Sequence, residues 1–262
     1  MTNGLVLVDK PVGPSSFDVV ERLRGKYGVK AGHAGTLDPL ASGLLLVLLG
    51  ASTRLARYLV GVDKRYETEI RLGLRTTTGD GEGDVIEETE VATLEAVEGL
   101  EGDVELVVPR ASAVKIEGER AYRLRRRGVA VQMPRRRSTI HSLRVRRYAP
   151  PLVELDLHVS SGTYVRAIAD ALGGHCRTLR RTAVGPFRVE DANEDVVLPP
   201  LAALVSLPER ELTEEETTLI RHGRAVSGDE DGPVALHFGG RLVAVAQGAG
   251  GELRPETVLP AQ

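Results

Sequence analysis

In two stretches of the chain, residues suited to the core alternate one by one with charged or polar residues. This pattern constrains the fold more than any other feature. From Tyr66 to Leu72 every second residue is apolar or a threonine, and the residues between them are charged. Residues 153–159 repeat the pattern. In a strand such alternation sends one face into the core and the other into solvent. The sequence therefore predicts half-buried strands at residues 64–74 and 153–159.

Other predicted elements set the fold class. The apolar run at residues 43–49 predicts a buried strand, and residues 163–172 predict a helix that follows the second alternating strand. Strands and helices do not alternate regularly, as they would in a parallel α/β protein. The sequence therefore favours an α+β domain built around a mixed or antiparallel sheet.

Both ends of the chain contain recognisable local patterns. Residues 4–8 predict a short buried strand, and Ser15 with Asp18 has the spacing of a capping box, which predicts a helix that ends at Gly28. Near the other end, two apolar segments flank the glycine pair at 239–240, which predicts a hairpin in a small β-rich tail. Acidic, proline-bearing sequence at 190–216 is typical of a linker with some helix.

Several protein classes are disfavoured by the sequence. The longest apolar run, residues 44–49, is too short to cross a bilayer. The first nine residues lack the basic start and the small-residue cleavage site of a signal peptide. The single cysteine, Cys176, can form neither a disulfide framework nor a CxxC metal site. We therefore expect a cytoplasmic protein that does not associate with membranes.

Charge is nearly balanced over the chain but is strongly segregated along it. The net charge is −3, yet residues 76–109 contain eleven acidic and no basic residues, and residues 110–147 contain thirteen basic and two acidic residues. A segment of +11 attracts polyphosphate, and arginine binds phosphate bidentately. A solvated charged face is the alternative. With no tryptophan and three phenylalanines, stacking on single strands is disfavoured, and folded RNA is the expected partner.

The candidate catalytic groups lie in two segments. Residues 32–39 form a glycine-bearing loop that contains His33 and Asp38 directly before the apolar strand. Reactive groups often lie on loops anchored by rigid elements, although an Asp-Pro pair also begins ordinary turns. Arg166 falls in the first turn of the later helix, where the helix dipole does not favour a cation. A specific role is therefore expected for Arg166.

Other chemical motifs are weak. An acidic, glycine-spaced segment from Asp80 resembles the start of a calcium loop, but position twelve is Val91 instead of a bidentate glutamate. Three further residues are of types that bind metals but are not spaced along the sequence as metal ligands usually are, namely His158, His175 and Cys176. No nucleotide-binding motif is found, so we expect no metal and no nucleotide cofactor. A hydrolase built from Ser42, His33 and Asp38 is an alternative, but it lacks a nucleophile elbow.

Several motifs, in the same order along the chain, resemble those of the bacterial TruB-type tRNA pseudouridine synthases. GLVLVDKPVGPSS at residues 4–16 resembles the opening motif of the family, and GHAGTLDPLASG at residues 32–43 resembles its catalytic loop. Further matches cover most of the chain: Lys64, Arg65 and Tyr66; Thr76, Thr78, Asp80 and Gly83; Ser112, Ala113, Lys115, Gly118, Arg120, Ala121 and Tyr122; residues 162–166; and Leu179, Arg180, Arg181, Thr182 and Gly185.

This resemblance implies a fold and an activity. It implies a mixed-sheet catalytic domain at residues 1–205, with a basic RNA-gripping insertion at about 110–147, and a short β-rich, PUA-like domain at residues 206–262. The implied reaction converts uridine 55 in the T loop of tRNA to pseudouridine. The implied partner is the T arm of tRNA, with no cofactor and a monomeric protein. A non-catalytic RNA-binding or tRNA-folding protein of the same fold is the alternative.

The resemblance also implies roles for individual residues. Asp38 would be the catalytic carboxylate, Tyr66 the ring stacked on the target base, and Arg166 the partner of Asp38. At this point the role of Asp38 is open between attack at C1′, attack at C6 and removal of a sugar proton. The implied substrate-binding residues are His33, Tyr164, Leu179, Lys10, Lys115, Arg120 and Tyr122.

Overall fold

The computed structural model describes residues 2–112, 114–116, 118–127, 129 and 131–260, without the side chains of residues 122, 125 and 126. The α-helices of this part of the chain are α1 (Ser16–Tyr27), α2 (Ala56–Val60), α3 (Leu94–Glu98), α4 (Ala121–Arg126), α5 (Val165–Ala171) and α6 (Glu214–Arg221). Three 3-10 helices lie at Gly50–Leu55, Val189–Asp191 and Pro200–Leu204. None of the helices described is long and apolar enough to cross a membrane.

The strands are more numerous than the helices, and most of them pair antiparallel. They are β1 (Gly4–Lys10), β2 (Ala31–His33), β3 (Ala41–Leu49), β4 (Lys64–Leu72), β5 (Leu74–Thr76), β6 (Val85–Glu88), β7 (Gly102–Val107), β8 (Lys115–Ile116), β9 (Glu119–Arg120), β10 (Arg135–Ala149), β11 (Leu152–Val159), β12 (Gly174–Val184), β13 (Phe187–Arg188), β14 (Glu209–Glu211), β15 (Val226–Ser227), β16 (Gly232–Phe238), β17 (Arg241–Ala249) and β18 (Glu252–Val258). This mixture of elements confirms the predicted α+β class.

The chain forms two compact units. The first comprises Met1–Pro39, Gly43–Val62 and Gly185–Gln262, and the second comprises Leu40–Ser42 and Asp63–Val184. In the first unit β1 pairs antiparallel with β3, and residues 44–49 of β3 are fully buried. A strand covered on both faces has a continuous apolar sequence. The buried strands predicted from residues 4–8 and 43–49 are therefore confirmed.

Helix α1 begins and ends as its sequence predicts. The Ser15 amide donates to Asp18 Oδ2 over 2.8 Å, and the Asp18 amide donates to Ser15 Oγ over 3.2 Å, so both bonds of the capping box are present. Gly28 ends the helix in the left-handed conformation, with φ of +64°. The capping box at Ser15 fixes the start of α1, and the residue after Ser15, Ser16, lies in the interior.

Residues from 209 onward build a second sheet within the first unit, in the order β14-β16-β17-β18-β15. β14 and β16 are parallel, the other pairs are antiparallel, and the hairpin predicted at residues 239–240 joins β16 to β17. Its core contains Leu212, Ile220, Val226, Val234, Leu236, Val243, Ala244, Ala246 and Leu253. The β-rich tail is confirmed, and so is the helix expected within residues 190–216, whereas β14 in that segment was not predicted.

Two arginines connect this second sheet to the early part of the chain. Arg54 donates to the carbonyl oxygen of Val258 over 2.6 Å, and Arg57 lies 2.7 Å from the carboxylate of Glu256. Both acceptors are on β18. The first unit therefore joins residues that are about 200 positions apart along the chain.

The second unit contains an antiparallel sheet in the order β12-β4-β11-β10-β7. The alternation in β4 is confirmed, because Tyr66, Thr68 and Ile70 are buried and the residues between them are more exposed. The predicted end of this strand at Leu74 is wrong. Gly73 has φ of +81°, which breaks the strand after Leu72, and residues from Leu74 start β5.

Helix α5 is shorter than predicted. It spans Val165–Ala171, and Tyr164 is its N-cap residue instead of lying inside the helix. Arg166 still lies in the first turn, as expected. The helix packs against β12, β7 and β4, so its buried residues are held against the sheet.

The acidic and basic segments meet in the structure. β7 and β10 are neighbouring antiparallel strands, and Arg137 faces Glu105 across them. Arg146 lies 3.4 Å from Glu67, on the polar face of the sheet. Charges that are segregated along the chain are therefore mixed in the structure, since part of the +11 charge is balanced by carboxylates on neighbouring strands.

Candidate active site

The loop that contains Asp38 is held on both sides of that residue. Ser16 Oγ donates to the carbonyl oxygen of Leu37 over 2.9 Å and accepts from the Leu37 amide over 2.8 Å. The Gly13 amide donates to the carbonyl oxygen of Pro39 over 2.9 Å. Ser16 and Leu37 are buried, while Asp38 itself is half-buried. The main chain on either side of the carboxylate is therefore fixed by Ser16 at the start of α1 and by Gly13 in the turn before it.

Lys10 organises that same turn. Its side chain is fully buried, and Nζ donates to the carbonyl oxygens of Pro11 and Pro14 over 2.8 Å and 2.9 Å. A buried ammonium is stable only when its protons have acceptors. Lys10 therefore shapes residues 11–14, and a contact between Lys10 and substrate stays a prediction.

His33 is the last residue of β2. It is half-buried and lies opposite Val47 of β3. Its strand is short, and helix α1 packs against it. Like Asp38 and Lys10, His33 belongs to the first unit.

Tyr66 lies on the buried face of β4 in the second unit. Its exposed fraction is 8%, and it lies between Leu157 of β11 and Arg181 of β12. Leu179, two residues before Arg181 on β12, lies opposite Thr68. Residues directly opposite each other point to the same face of a sheet, so Tyr66 and Leu179 share one face.

Two buried cations accompany Tyr66 on that face. Lys64 and Arg181 are 7% and 2% exposed, and Lys64 Nζ donates to Ser161 Oγ over 3.4 Å. Burial, together with the positive charge of Arg181, lowers the pKa of Lys64 to about 8, and Asp63 opposes the shift. We did not expect a role for either cation from sequence. A lysine at an inward position of an alternating strand was the available signal for Lys64.

Arg166 is held by main-chain oxygens from two distant segments. Its guanidinium is almost fully buried and donates to the carbonyl oxygens of Thr78 over 2.7 Å and of Ala111 over 2.9 Å. Asp80 Oδ2 lies 4.0 Å from Nη1. Hydrogen bonds from a charged donor are stronger than neutral ones, so the orientation of Arg166 is set by these carbonyl groups.

The turn at residues 76–83 provides one of those carbonyl groups. The Oγ1 atom of Thr76 donates to the Asp80 carbonyl oxygen over 2.6 Å, and the Glu82 amide donates to Asp80 Oδ1 over 3.1 Å. Gly83 leaves no room for a side chain, because a Cβ atom there would lie 2.4 Å from Thr78 Oγ1. The acidic segment from Asp80 thus supports Arg166 through the shape of its turn.

A cleft of about 940 Å³ opens beside Arg166 in the second unit. Among the residues that the structure describes, the cations lining it are Arg110, Lys115, Arg135 and Arg166, and the carboxylate is Asp170. Burial raises the pKa of Asp170, and the charge of Arg75 opposes that shift. The remaining lining includes apolar residues such as Met133. A positive cleft with apolar walls suits a phosphate backbone with bases attached.

Three substrate-binding residues were predicted in the basic insertion at about 110–147. Two of them, Lys115 and Arg120, lie at or beside this cleft. Lys115 on β8 and Arg120 on β9 are both exposed and face each other across the two strands. Tyr122 falls on α4, but its side chain is outside the part of the chain that the structure describes. Tyr164 caps α5 and is half-buried.

The structure groups the sequence-predicted residues in two sets. Lys10, His33 and Asp38 belong to the first unit, and the others belong to the second. Within the second unit, Tyr66 and Leu179 share a sheet face, and Arg166 and Lys115 line one cleft. Sequence reasoning missed Ser16, although it follows a recognised N-cap directly.

Comparisons with known proteins give a consistent result. Residues 22–165 match the family model for the N-terminal domain of TruB family pseudouridylate synthases. The chain is 41% identical over 290 residues to tRNA pseudouridine synthase B of Thermobifida fusca (strain YX), and the alignment covers 99% of both chains. It is 42% identical over 293 residues to the protein of the same name from Leifsonia xyli subsp. xyli (strain CTCB07), covering 99% of this chain and 97% of the relative.

A solved structure shows the same architecture. A chain in the crystal structure of a Cbf5-Nop10-Gar1 complex superposes with a TM-score of 0.72 at 25% identity. The superposition covers 97% of this chain and 84% of that chain.

Proposed function

Because the chain belongs to the TruB family of pseudouridylate synthases, we propose that it isomerises uridine 55 in the T loop of tRNA to pseudouridine. The observation that carries the proposal is the likeness over almost the whole chain to proteins named tRNA pseudouridine synthase B. The proposed partner is the T arm of tRNA, bound by a monomer in the cytoplasm.

The reaction explains why a carboxylate is the central group. Isomerisation breaks the bond between C1′ and N1, turns the uracil and joins C1′ to C5. A proton leaves C5 and N1 gains one, so the reaction is redox neutral and requires no energy input. A carboxylate can start this rearrangement by attacking C1′, by attacking C6, or by removing a sugar proton. We assign this role to Asp38.

The structure around Asp38 supports that assignment. Each of the three reactions requires a carboxylate held at one place relative to the nucleoside, because orientation supplies much of the rate enhancement. The bonds to Leu37 and Pro39 hold the main chain on both sides of Asp38. We assign Arg166 as its partner, since a guanidinium stabilises the ionised form of a carboxylate.

The other assigned residues act on the base and the RNA backbone. A uridine inside a folded loop must leave its stack, which costs a few kcal/mol. Stacking on Tyr66 returns part of that free energy, and His33 occupies the place that the base leaves. Tyr164 and Leu179 line the base site. Phosphates bind the cleft cations, among them Lys115, and the remaining RNA contacts are assigned to Lys10, Arg120 and Tyr122.

A direct assay tests the proposal. The purified protein is incubated with an unmodified tRNA transcript, and pseudouridine is mapped along the RNA by primer extension after carbodiimide treatment. We expect modification at position 55 and none in a transcript with cytidine there. A transcript tritiated at C5 of uridine should release tritium to water in parallel. Binding without product would identify a non-catalytic RNA-binding protein, and product at another position would overturn the assigned substrate.

A further inference from the structure

Three potential metal ligands converge on the polar face of the sheet in the second unit. Asp63 Oδ2 lies 3.1 Å from His141 Nε2 and 3.8 Å from His158 Nε2. The ligand atoms of the three residues all lie within 4.8 Å of one another. The exposed side-chain fractions are 44% for Asp63, 36% for His141 and 26% for His158, so an ion can reach them from solvent.

The sheet brings these residues together through an irregularity in β10. Ile140 pairs with Val159 and Ser142 pairs with His158, so His141 is an extra residue in a β-bulge. A bulge redirects a side chain that would otherwise follow the strand's alternation. Asp63 directly precedes β4, and His158 on β11 pairs with Arg65 on β4. The three residues therefore come from two neighbouring strands, β10 and β11, and from the residue before β4, which is why spacing along the sequence did not reveal them.

We propose that Asp63, His141 and His158 bind a divalent transition metal ion of the zinc type. Zinc binds histidine nitrogen and carboxylate oxygen at about 2.0–2.2 Å, which places tetrahedral ligand atoms about 3.3 Å apart. The two distances from histidine Nε2 atoms to Asp63 Oδ2, 3.1 Å and 3.8 Å, bracket that separation. Two histidines and one carboxylate leave further coordination positions for water.

A simple ion pair is the competing explanation for this cluster. It accounts for one histidine beside Asp63, but here two imidazole rings, with centroids 4.8 Å apart, direct Nε2 toward the same carboxylate oxygen. Protonating both rings places two positive charges side by side. One metal ion satisfies both nitrogens and the oxygen together. Lys64 and Arg65 are neighbouring cations that oppose a metal. The exposure of Arg65 weakens its repulsion, and burial lowers the pKa of Lys64.

Bound metal would connect β10 and β11 to the start of β4. The next residue after Asp63 begins the strand that carries Tyr66. An ion that binds only the folded protein raises the free energy of unfolding in proportion to the logarithm of its concentration. The metal site is therefore a stabilising element of the second unit, distinct from the residues assigned to catalysis.

Zinc binding to the whole 262-residue chain tests this proposal. The protein is treated with a chelator, desalted and titrated with Zn²⁺ against a coloured competitor, and its Tm is measured with and without the ion. We expect one zinc per chain and a Tm that rises with zinc concentration. Co²⁺ should give the intense visible absorption of a four-coordinate site. Failure to bind one equivalent would overturn the proposal.

Matched variants locate the site. His141→Ala and Asp63→Asn each remove one ligand from a partly exposed position, and we expect affinity to fall at least about 100-fold, since even outer-shell changes cost 10–100-fold. The control is His222→Ala, an exposed histidine beside α6 in the first unit, which should leave affinity unchanged. Cys176 is unchanged in every variant, so zinc binding by its thiol would not differ between the ligand variants and the control. Zinc binding of undiminished affinity in both ligand variants would assign the metal to other residues and overturn the proposal.

Discussion

The loop around Asp38 and the first turn of α5 around Arg166 each hold one proposed catalytic group, but with different atoms. At Asp38 the bonds run from Ser16 and Gly13 to the main chain of Leu37 and Pro39. At α5 the Arg166 guanidinium itself makes the bonds, to carbonyl oxygens at residues 78 and 111.

In the loop, the bonds that hold the main chain are separate from the proposed catalytic side chain. In α5, the proposed catalytic side chain of Arg166 makes the structural bonds itself. The bonds from Ser16 and Gly13 are made to the main chain of Leu37 and Pro39, so a change of the Asp38 side chain leaves these bonds in place. Changing Arg166 removes a proposed catalytic partner and also leaves the carbonyl groups of Thr78 and Ala111 without this donor. The comparison therefore predicts different combinations of lost activity and lost stability.

The largest effect is expected for Asp38→Asn. This change keeps the size of the side chain but removes its charge, and we expect pseudouridine formation to fall by roughly 10⁴-fold or more, as for loss of a central catalytic group. Affinity for tRNA and Tm should stay near wild type. Single-turnover assays and thermal unfolding measure the two quantities. Wild-type turnover by this variant would contradict the role assigned to Asp38.

A smaller loss of activity, with a loss of stability, is expected for Arg166→Lys. One ammonium cannot reproduce a planar fork that reaches two carbonyl oxygens. We expect a rate about 100-fold lower and a free energy of unfolding about 2 kcal/mol lower, which corresponds to a Tm lower by roughly 4–8 °C. An unchanged Tm would show that the two carbonyl bonds contribute little, and the contrast with Asp38 would disappear.

Ser16→Ala tests the bonds that anchor the catalytic loop. Loss of both bonds to Leu37 should lower kcat about tenfold, because a small displacement of a catalytic group is costly, and should leave KM nearly unchanged. Ser15→Ala is the matched control. It loses the N-cap of α1, at a cost of about 1 kcal/mol, but makes none of the bonds to the loop. Equal kcat values for the two variants would show that Ser16 acts only through stability.

The smallest effect concerns the cleft beside Arg166. Replacing Arg110 and Lys115 by glutamine should raise the Kd for tRNA a few-fold. It should also reduce the slope of log Kd against log salt by about 0.7–0.9 for each phosphate that the protein no longer neutralises. The control replaces Arg146 and Arg147, which lie near carboxylates on the sheet. Fluorescence anisotropy over a range of salt concentrations measures the Kd for tRNA of both double variants. Equal slopes of log Kd against log salt for the two variants would show that the RNA backbone does not bind in this cleft.

Features that depend on neighbouring residues were predictable from sequence. The period of two at β4 placed Tyr66 on the buried face, and the capping box placed the start of α1 correctly. The glycine pair at 239–240 predicted the hairpin between β16 and β17. Each of these signals depends on a few adjacent side chains, so tertiary contacts are not needed to interpret it.

Features that depend on distant residues were not predictable. The carbonyl partners of Arg166 lie 88 and 55 residues before it, and no local pattern relates these positions. The early end of β4 depends on the positive φ of Gly73, which alternation alone does not reveal. The segregated charges were visible in sequence, but their meeting on β7 and β10 requires knowledge of strand order.

The division of the chain between its two units has a consequence for synthesis. Residues 63–184 are continuous, so the second unit can close its sheet while the ribosome is still producing the rest. In the first unit, Leu5 of β1, Arg54 and Arg57 are synthesised long before their partners, which are Leu198, Val258 and Glu256 respectively. Chains grow at about 5–20 residues per second. Leu5, Arg54 and Arg57 are therefore without these partners for roughly ten seconds or more, and this is the interval in which chaperones would be needed.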